Sequence, residues 1–135
     1  MNVNDNMIQY YLRQNNNYFI KPPYIDIVKI GSDLLTLNAV SSVVQFTVPA
    51  FANRIAVYYD VKGTVSSGTI RLECSPISSI TNWATMNIDQ AFTSANSNSL
   101  LRKVNSIGPY HYVRARVIVA IAGGAHVDVY LNACN

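Results

Sequence analysis

From Ile25 onward the chain alternates apolar and polar residues in short runs that turn-forming residues cut roughly every 8 to 15 positions. A side-chain period of two is what a half-buried strand requires, and no stretch holds the 3.6-residue period of an amphipathic helix over a convincing length. The cleanest run is Arg54 to Val61, where Ile55, Val57, Tyr59 and Val61 share one face and Arg54, Ala56, Tyr58 and Asp60 the other. The pattern predicts an all-β chain.

The other runs follow the same grammar. Residues 25–30 form a first run that ends at the turn Gly31-Ser32-Asp33; Leu35, Leu37 and Ala39 follow, then Val44, Phe46 and Val48, closed by Pro49. Ile70, Leu72 and Cys74 point inward against Thr69, Arg71, Glu73 and Ser75. After a Ser- and Thr-rich turn, either Ala84, Met86 and Ile88 or Trp83, Thr85 and Asn87 face the core. Residues 88–92 read as a helical turn with Asp89 near its start, and residues 94–99 as loop. A final hairpin sets His111, Val113, Ala115, Val117, Val119 and Ile121 inward, turns at Gly123-Gly124, and returns with Val127, Val129 and Leu131 inward. About seven to nine strands in about 110 residues need both faces of a sheet covered. They predict an antiparallel two-sheet β-sandwich, jelly-roll or immunoglobulin-like, over residues 25–135.

Residues 1–24 differ in kind. Asparagines stand at 2, 4, 6, 15, 16 and 17, interleaved with Tyr10, Tyr11, Tyr18, Phe19 and Tyr24, and the stretch carries Pro22-Pro23 near its end. Met7 to Arg13 offers one or two helical turns before the asparagine triplet, and the proline pair then imposes an extended path. Two readings stand: an extended N-terminal arm lying on a neighbouring surface, or a terminal segment folded onto its own domain.

Half of the 135 residues are hydrophobic and 13% are charged, about half the roughly 25% of an ordinary globular chain. That excludes a disordered chain, and so sparsely charged a surface points to neutral or apolar area covered by partners. The formal net charge is +3 with a pI near 9.0. The basic residues are scattered, however, with only Arg102-Lys103 and Arg114-Ala115-Arg116 close together. Phosphate neutralisation needs a concentrated basic footprint, so nucleic acid is not an expected partner. No run approaches the ~18 apolar residues of a membrane span, and Met1 to Asn6 lacks the basic start and apolar run of a signal peptide. Neither a membrane partner nor secretion is expected.

The residues that carry chemistry do not assemble into motifs. Cys74 and Cys134 allow one disulfide but read more simply as two buried free thiols, and with His111 and His126 they lack zinc-site spacing. His111 falls on the core side of its strand and His126 on the opposite face, neither beside a nucleophile elbow. Asp26, Asp33, Asp60, Glu73, Asp89 and Asp128 belong to no paired-carboxylate or calcium-loop motif, and most close strands or face outward. Gly63, Gly68, Gly123 and Gly124 sit in β-turn contexts, which cradle no phosphate. No enzyme activity, cofactor or metal is expected.

What remains is surface. Tyr58, Tyr110, Tyr112 and Tyr130 fall on outward faces with Arg54, Arg71, Arg114 and Arg116. If their strands are neighbours, they make one aromatic, arginine-rich sheet face suited to a protein interface or to stacking on sugars. The plainer alternative is a set of cross-strand pairs that stabilise an exposed sheet. Ile118, Ala120 and Ile121 beside this face favour a covered surface. The candidate interface residues are Tyr10, Tyr11, Tyr18, Phe19, Tyr24, Tyr58, Tyr110, Tyr112, Arg114, Arg116 and Tyr130.

Four stretches carry a resemblance: Gly68-Thr69-Ile70-Arg71-Leu72-Glu73-Cys74-Ser75-Pro76, Asn82-Trp83-Ala84-Thr85, Tyr112-Val113-Arg114-Ala115-Arg116-Val117, and Val127-Asp128-Val129-Tyr130-Leu131-Asn132-Ala133. Together they make residues 54–133 resemble the small virion β-sandwich proteins of tailed bacteriophages, of the capsid decoration or cement type. The resemblance implies a small oligomeric, non-enzymatic domain on the capsid surface, assembled in the host cytoplasm. Its implied partners are the major capsid protein and further copies of itself, as dimer or trimer. The competing expectation is a carbohydrate- or receptor-binding module of a phage tail or fibre that uses the tyrosines and Trp83 on a glycan. A head-to-tail connector component is a third.

Overall fold

A computed structural model describes residues 24–46, 53–76, 82–106, 108 and 110–134. Among them are eight strands: β1 Tyr24–Gly31, β2 Val44–Gln45, β3 Arg54–Lys62, β4 Ser67–Ser75, β5 Ala84–Ala91, β6 Leu100–Asn105, β7 Tyr112–Ala122 and β8 His126–Cys134. A single 3-10 turn, Ser94–Asn96, is the one helical element among these residues. The strands form two antiparallel sheets, in the orders β1-β8-β3-β6 and β2-β7-β4-β5.

The order has a simple origin. Each strand of the first half pairs with its counterpart from the second half: β1 with β8, β2 with β7, β3 with β6, β4 with β5. The chain is therefore one long antiparallel ribbon, rolled so that β8 also meets β3 and β7 also meets β4. This is the jelly-roll, and it decides between the two sandwich types that strand counting leaves open. Only β4 and β5 are consecutive strands in one sheet; every other connection crosses between sheets.

The alternation seen in the sequence sets the core. Ile55, Val57, Tyr59 and Val61 of β3 are buried with Val127, Val129 and Leu131 of β8, against Ile70 and Leu72 of β4 and Val113, Ala115 and Val117 of β7. Met86 and Ile88 of β5 are buried too, which selects the first of the two phasings available to that strand. The Tyr59 ring meets Phe92 edge-on, with centroids 5.7 Å apart. Cys74 is a free thiol, half-buried at the core margin.

Several expectations need correction. The predicted final hairpin is not one, because β7 and β8 lie in opposite sheets. Alternation says which side of a strand is buried, and both strands do face the core, but it does not name the neighbour. The change of sheet is made at Gly123, whose φ is +110° and where a Cβ would stand 2.7 Å from the Ser66 nitrogen and 2.8 Å from the Thr64 oxygen. The helical turn expected at residues 88–92 is strand as far as Ala91, and β6 is a strand where the alternation predicts none. Leu35, Leu37 and Ala39 make no strand; their segment follows the edge of β7 through scattered bonds, including Asn38 N–H to the Val117 carbonyl at 2.8 Å and Val117 N–H to the Ala39 carbonyl at 2.9 Å. Of the run expected to end at Pro49, only Val44–Gln45 is strand, and Val48 lies outside the described residues. Val119, inward by strict alternation, is 49% exposed. The β4–β7 ladder shifts register on either side of Thr69, and each shift breaks the period of two.

Candidate functional site

The outer face of the first sheet is built mainly by three strands joined in two undistorted ladders. β3 turns Arg54, Ala56, Tyr58, Asp60 and Lys62 away from the core, β8 turns out Asp128, Tyr130 and Asn132, and β6 turns out Leu100, Arg102 and Val104. Register then sets Lys29 opposite Tyr130, Tyr130 opposite Tyr58, and Tyr58 opposite Arg102. One row of four side chains crosses all four strands, with a cation at each end and two tyrosines between. The Lys29 ammonium lies 5.8 Å from the Tyr130 ring centroid and the Arg102 guanidinium 5.9 Å from that of Tyr58, both at the outer range of cation–π attraction.

One step along the strands, Asp60 stands directly opposite Asp128, a like-charge pairing that would be unfavourable alone. Lys62 relieves it, 3.5 Å from Asp60 and 3.6 Å from Asp128, and Lys29 reaches Asp128 at 3.4 Å. The backbone N–H of Asp33 donates to Asp128 at 3.1 Å. Burial works against ionisation of Asp128, but that N–H together with Lys29 and Lys62 outweighs it, so the carboxyl lies below the usual carboxylate range. At the other end of the face, Arg54, Arg102 and Asn132 surround a depression of about 280 Å³ whose lining includes Ala56 and Val104. No described carboxylate pairs with either arginine.

The single face expected for the tyrosines and arginines is in fact divided. Tyr58 and Tyr130 lie on the first sheet, whereas Tyr112, Arg114 and Arg116 lie on β7 of the second, so the two groups look out on opposite sides of the sandwich. Tyr110 is not on an outward face at all. It is 5% exposed and belongs to the core, because it precedes β7 outside the regular ladder that carries the alternation. Arg114 and Arg116 spend their charge within the chain: Arg114 Nε donates to Glu73 Oε1 at 3.0 Å, Arg116 Nε to Glu73 Oε2 at 2.8 Å, and Arg116 Nη1 to Asn38 Oδ1 at 3.1 Å. The Arg114 guanidinium also stacks on Trp83, 4.4 Å from the ring centroid. Beside them Arg71 grips Asp89 with two bonds of 2.9 Å, which hold the Asp89 carboxyl below its ordinary range. The second outer face is a self-satisfied ion network. Tyr10, Tyr11, Tyr18 and Phe19 lie outside the described residues, and Tyr24 opens β1, its backbone opposite Cys134.

Reading the sequence missed Lys29 and Arg102 as parts of the site. The signal for Arg102 was the short alternation Leu100, Arg102, Val104 against Leu101, Lys103, Asn105, but an edge strand exposes both of its faces and shows no binary contrast. A second concavity of about 550 Å³ opens between the unpaired edges of β5 and β6, lined by Asp89, Lys103, Asn105, Thr85, Tyr110 and Met86 among others. His126 is exposed on the outer side, with Nδ1 2.9 Å from Asp33 Oδ1, and His111 is half-buried. Among the described residues no three His, Cys, Asp or Glu side chains are grouped to hold a metal ion, and no helix is long and apolar enough to cross a membrane. Neither a protein-family model nor a curated protein matches the chain.

Proposed function

We propose that this chain is a non-enzymatic structural virion protein, a capsid decoration or cement protein that binds shell subunits of a tailed bacteriophage through the outer face of its first sheet. The observation that carries the reading is the Lys29–Tyr130–Tyr58–Arg102 row, bordered by Leu100 at 64% and Val104 at 52% exposure. Tyrosine and arginine are enriched where protein interfaces release water, and exposed aliphatic residues beside them enlarge the apolar contact. Fold-level analogy adds weight of a weaker kind, since jelly-rolls recur in viral capsid proteins, though also in lectins and cupins. The virion resemblance of residues 54–133 points the same way.

In this reading the partners are the major capsid protein and further copies of the chain, as dimer or trimer, with no role for nucleic acid or membrane. Modest contacts gain strength by repetition, because each linked contact raises the effective concentration of the next. Particles lacking the protein are expected to lose integrity in heat or osmotic shock before complete particles do; equal resistance contradicts the proposal.

One observation favours the carbohydrate- or receptor-binding alternative. The cleft between β5 and β6 has the volume and mixed lining of a small-ligand site. Glycan binding by the purified protein that disappears in Asn105→Ala or Lys103→Ala supports it.

A further inference from the structure

We infer that the Arg54–Arg102 end of the first sheet's outer face is a carboxylate-binding subsite, and that its occupant is an acidic cluster on a protein other than this chain. The inference rests on the proposed binding role of that face and specifies the partner's chemistry.

The five acidic side chains that the structure describes each have a cationic or imidazole partner: Asp33 has His126, Asp60 has Lys62, Glu73 has Arg114 and Arg116, Asp89 has Arg71, and Asp128 has Lys29 and Lys62; the side chain of Asp26 lies outside the description. Three described cations have no carboxylate partner among the described residues: Arg54, Arg102 and Lys103. Arg54 and Arg102 project together from the outer face of the first sheet, whereas Lys103 projects from the other side of β6 into the cleft beside β5. Two of the three cations without a described carboxylate partner thus stand together at one place on the outer face.

The local shape suits a carboxylate. Arg54 and Arg102 flank one depression of about 280 Å³, and Asn132 on its rim has a side-chain amide that can donate. A guanidinium presents paired N–H donors that match a carboxylate in bidentate geometry, and contact with Ala56 and Val104 strengthens that attraction by excluding water. Tyr58 helps to hold Arg102 above the sheet.

The same charge distribution says what the occupant is not. A second copy of the chain would offer, among its described side chains, only carboxylates that already have a cationic or imidazole partner. A nucleic-acid strand needs cations along a track, whereas Asp60 and Asp128 interrupt this face one row beyond the tyrosines. An acidic patch on a different protein meets both conditions.

Isothermal titration of the full chain with a polyglutamate peptide, and separately with an oligothymidylate of equal charge, tests the inference. The peptide is expected to bind, and Arg54→Ala/Arg102→Ala to weaken it roughly tenfold or more while thermal unfolding stays unchanged. Lys62→Ala, at the far end of the face, is expected to change binding by less than about twofold. Absence of peptide binding, equal binding by the double variant, or tighter binding of the oligonucleotide overturns it. The two proposals fail separately. Depleted particles that take up the double variant as well as wild type overturn the subsite and leave the cement role standing; arginine-dependent peptide binding by a protein that no particle takes up supports the subsite and removes the cement role.

Discussion

Tyr58 and Tyr59 are adjacent in the chain and opposite in environment. Tyr59 is fully buried, its hydroxyl has no hydrogen-bond partner among the described residues, and burial raises its pKa well above the ordinary phenol value. A buried hydroxyl without a partner costs about 1–3 kcal/mol, whereas the ring itself fills the core against Phe92. Tyr59→Phe is therefore expected to leave stability unchanged or raise it by about 1 kcal/mol, and Tyr59→Ala to lower it by about 3–5 kcal/mol, measured by urea unfolding. Tyr58 has no such duty in the core. Asp89, through its bonds to Arg71, and Asp128, through the Asp33 N–H and two lysines that outweigh its burial, both ionise more readily folded than unfolded. Their contribution is complete at pH above the unfolded value of about 3.9 and is lost as pH falls through the lower folded values. Unfolding free energy is expected to drop on acidification below about pH 4, and Asp128→Asn to flatten that limb. Alternation placed Tyr58, Tyr130 and Glu73 on outer faces from the sequence, but it could not show that Arg114 and Arg116 close over Glu73, because that depends on which strands are neighbours.

At the scale of elements, legibility followed the quality of the ladder. β3 and β8 pair through nine residues without a shift, and their phasing was readable from the chain. The edge strand β6 was not, because neither of its faces is uniformly covered and no contrast reaches the sequence. The β7–β8 connection deceived for another reason: a Gly-Gly pair between alternating runs is the usual sign of a hairpin, and here it carries the chain from one sheet to the other. Gly123 is the point that cannot take a side chain, since its positive φ and the backbone of residues 64–66 both exclude one. Gly123→Ala is expected to cost about 1–3 kcal/mol, whereas Gly124→Ala, with open space at its Cβ, costs less because only its φ of +89° is strained. Equal midpoints for the two variants in urea contradict this account of the turn.

On the scale of the whole molecule, the two-sheet architecture was legible because strand count and alternation together demand two covered faces. The strand order was not, since rolling a ribbon into a jelly-roll depends on long-range pairings such as β1 with β8 that leave no local trace. The low charge noted in the sequence acquires a location: pairs within the chain neutralise most of it, and two arginines without a described carboxylate partner stand beside a tyrosine row on one side of the sandwich. That asymmetry between a self-satisfied face and an unsatisfied one is the main physical ground for assigning a binding side. The measurement that tests it most directly is rebinding of purified protein to phage particles depleted of it, wild type against Tyr58→Ser/Tyr130→Ser. The account predicts that wild type restores occupancy and heat resistance while the double variant, folded and equally stable, binds at least roughly tenfold more weakly. Equal rebinding by the two proteins, or no rebinding by wild type, contradicts it.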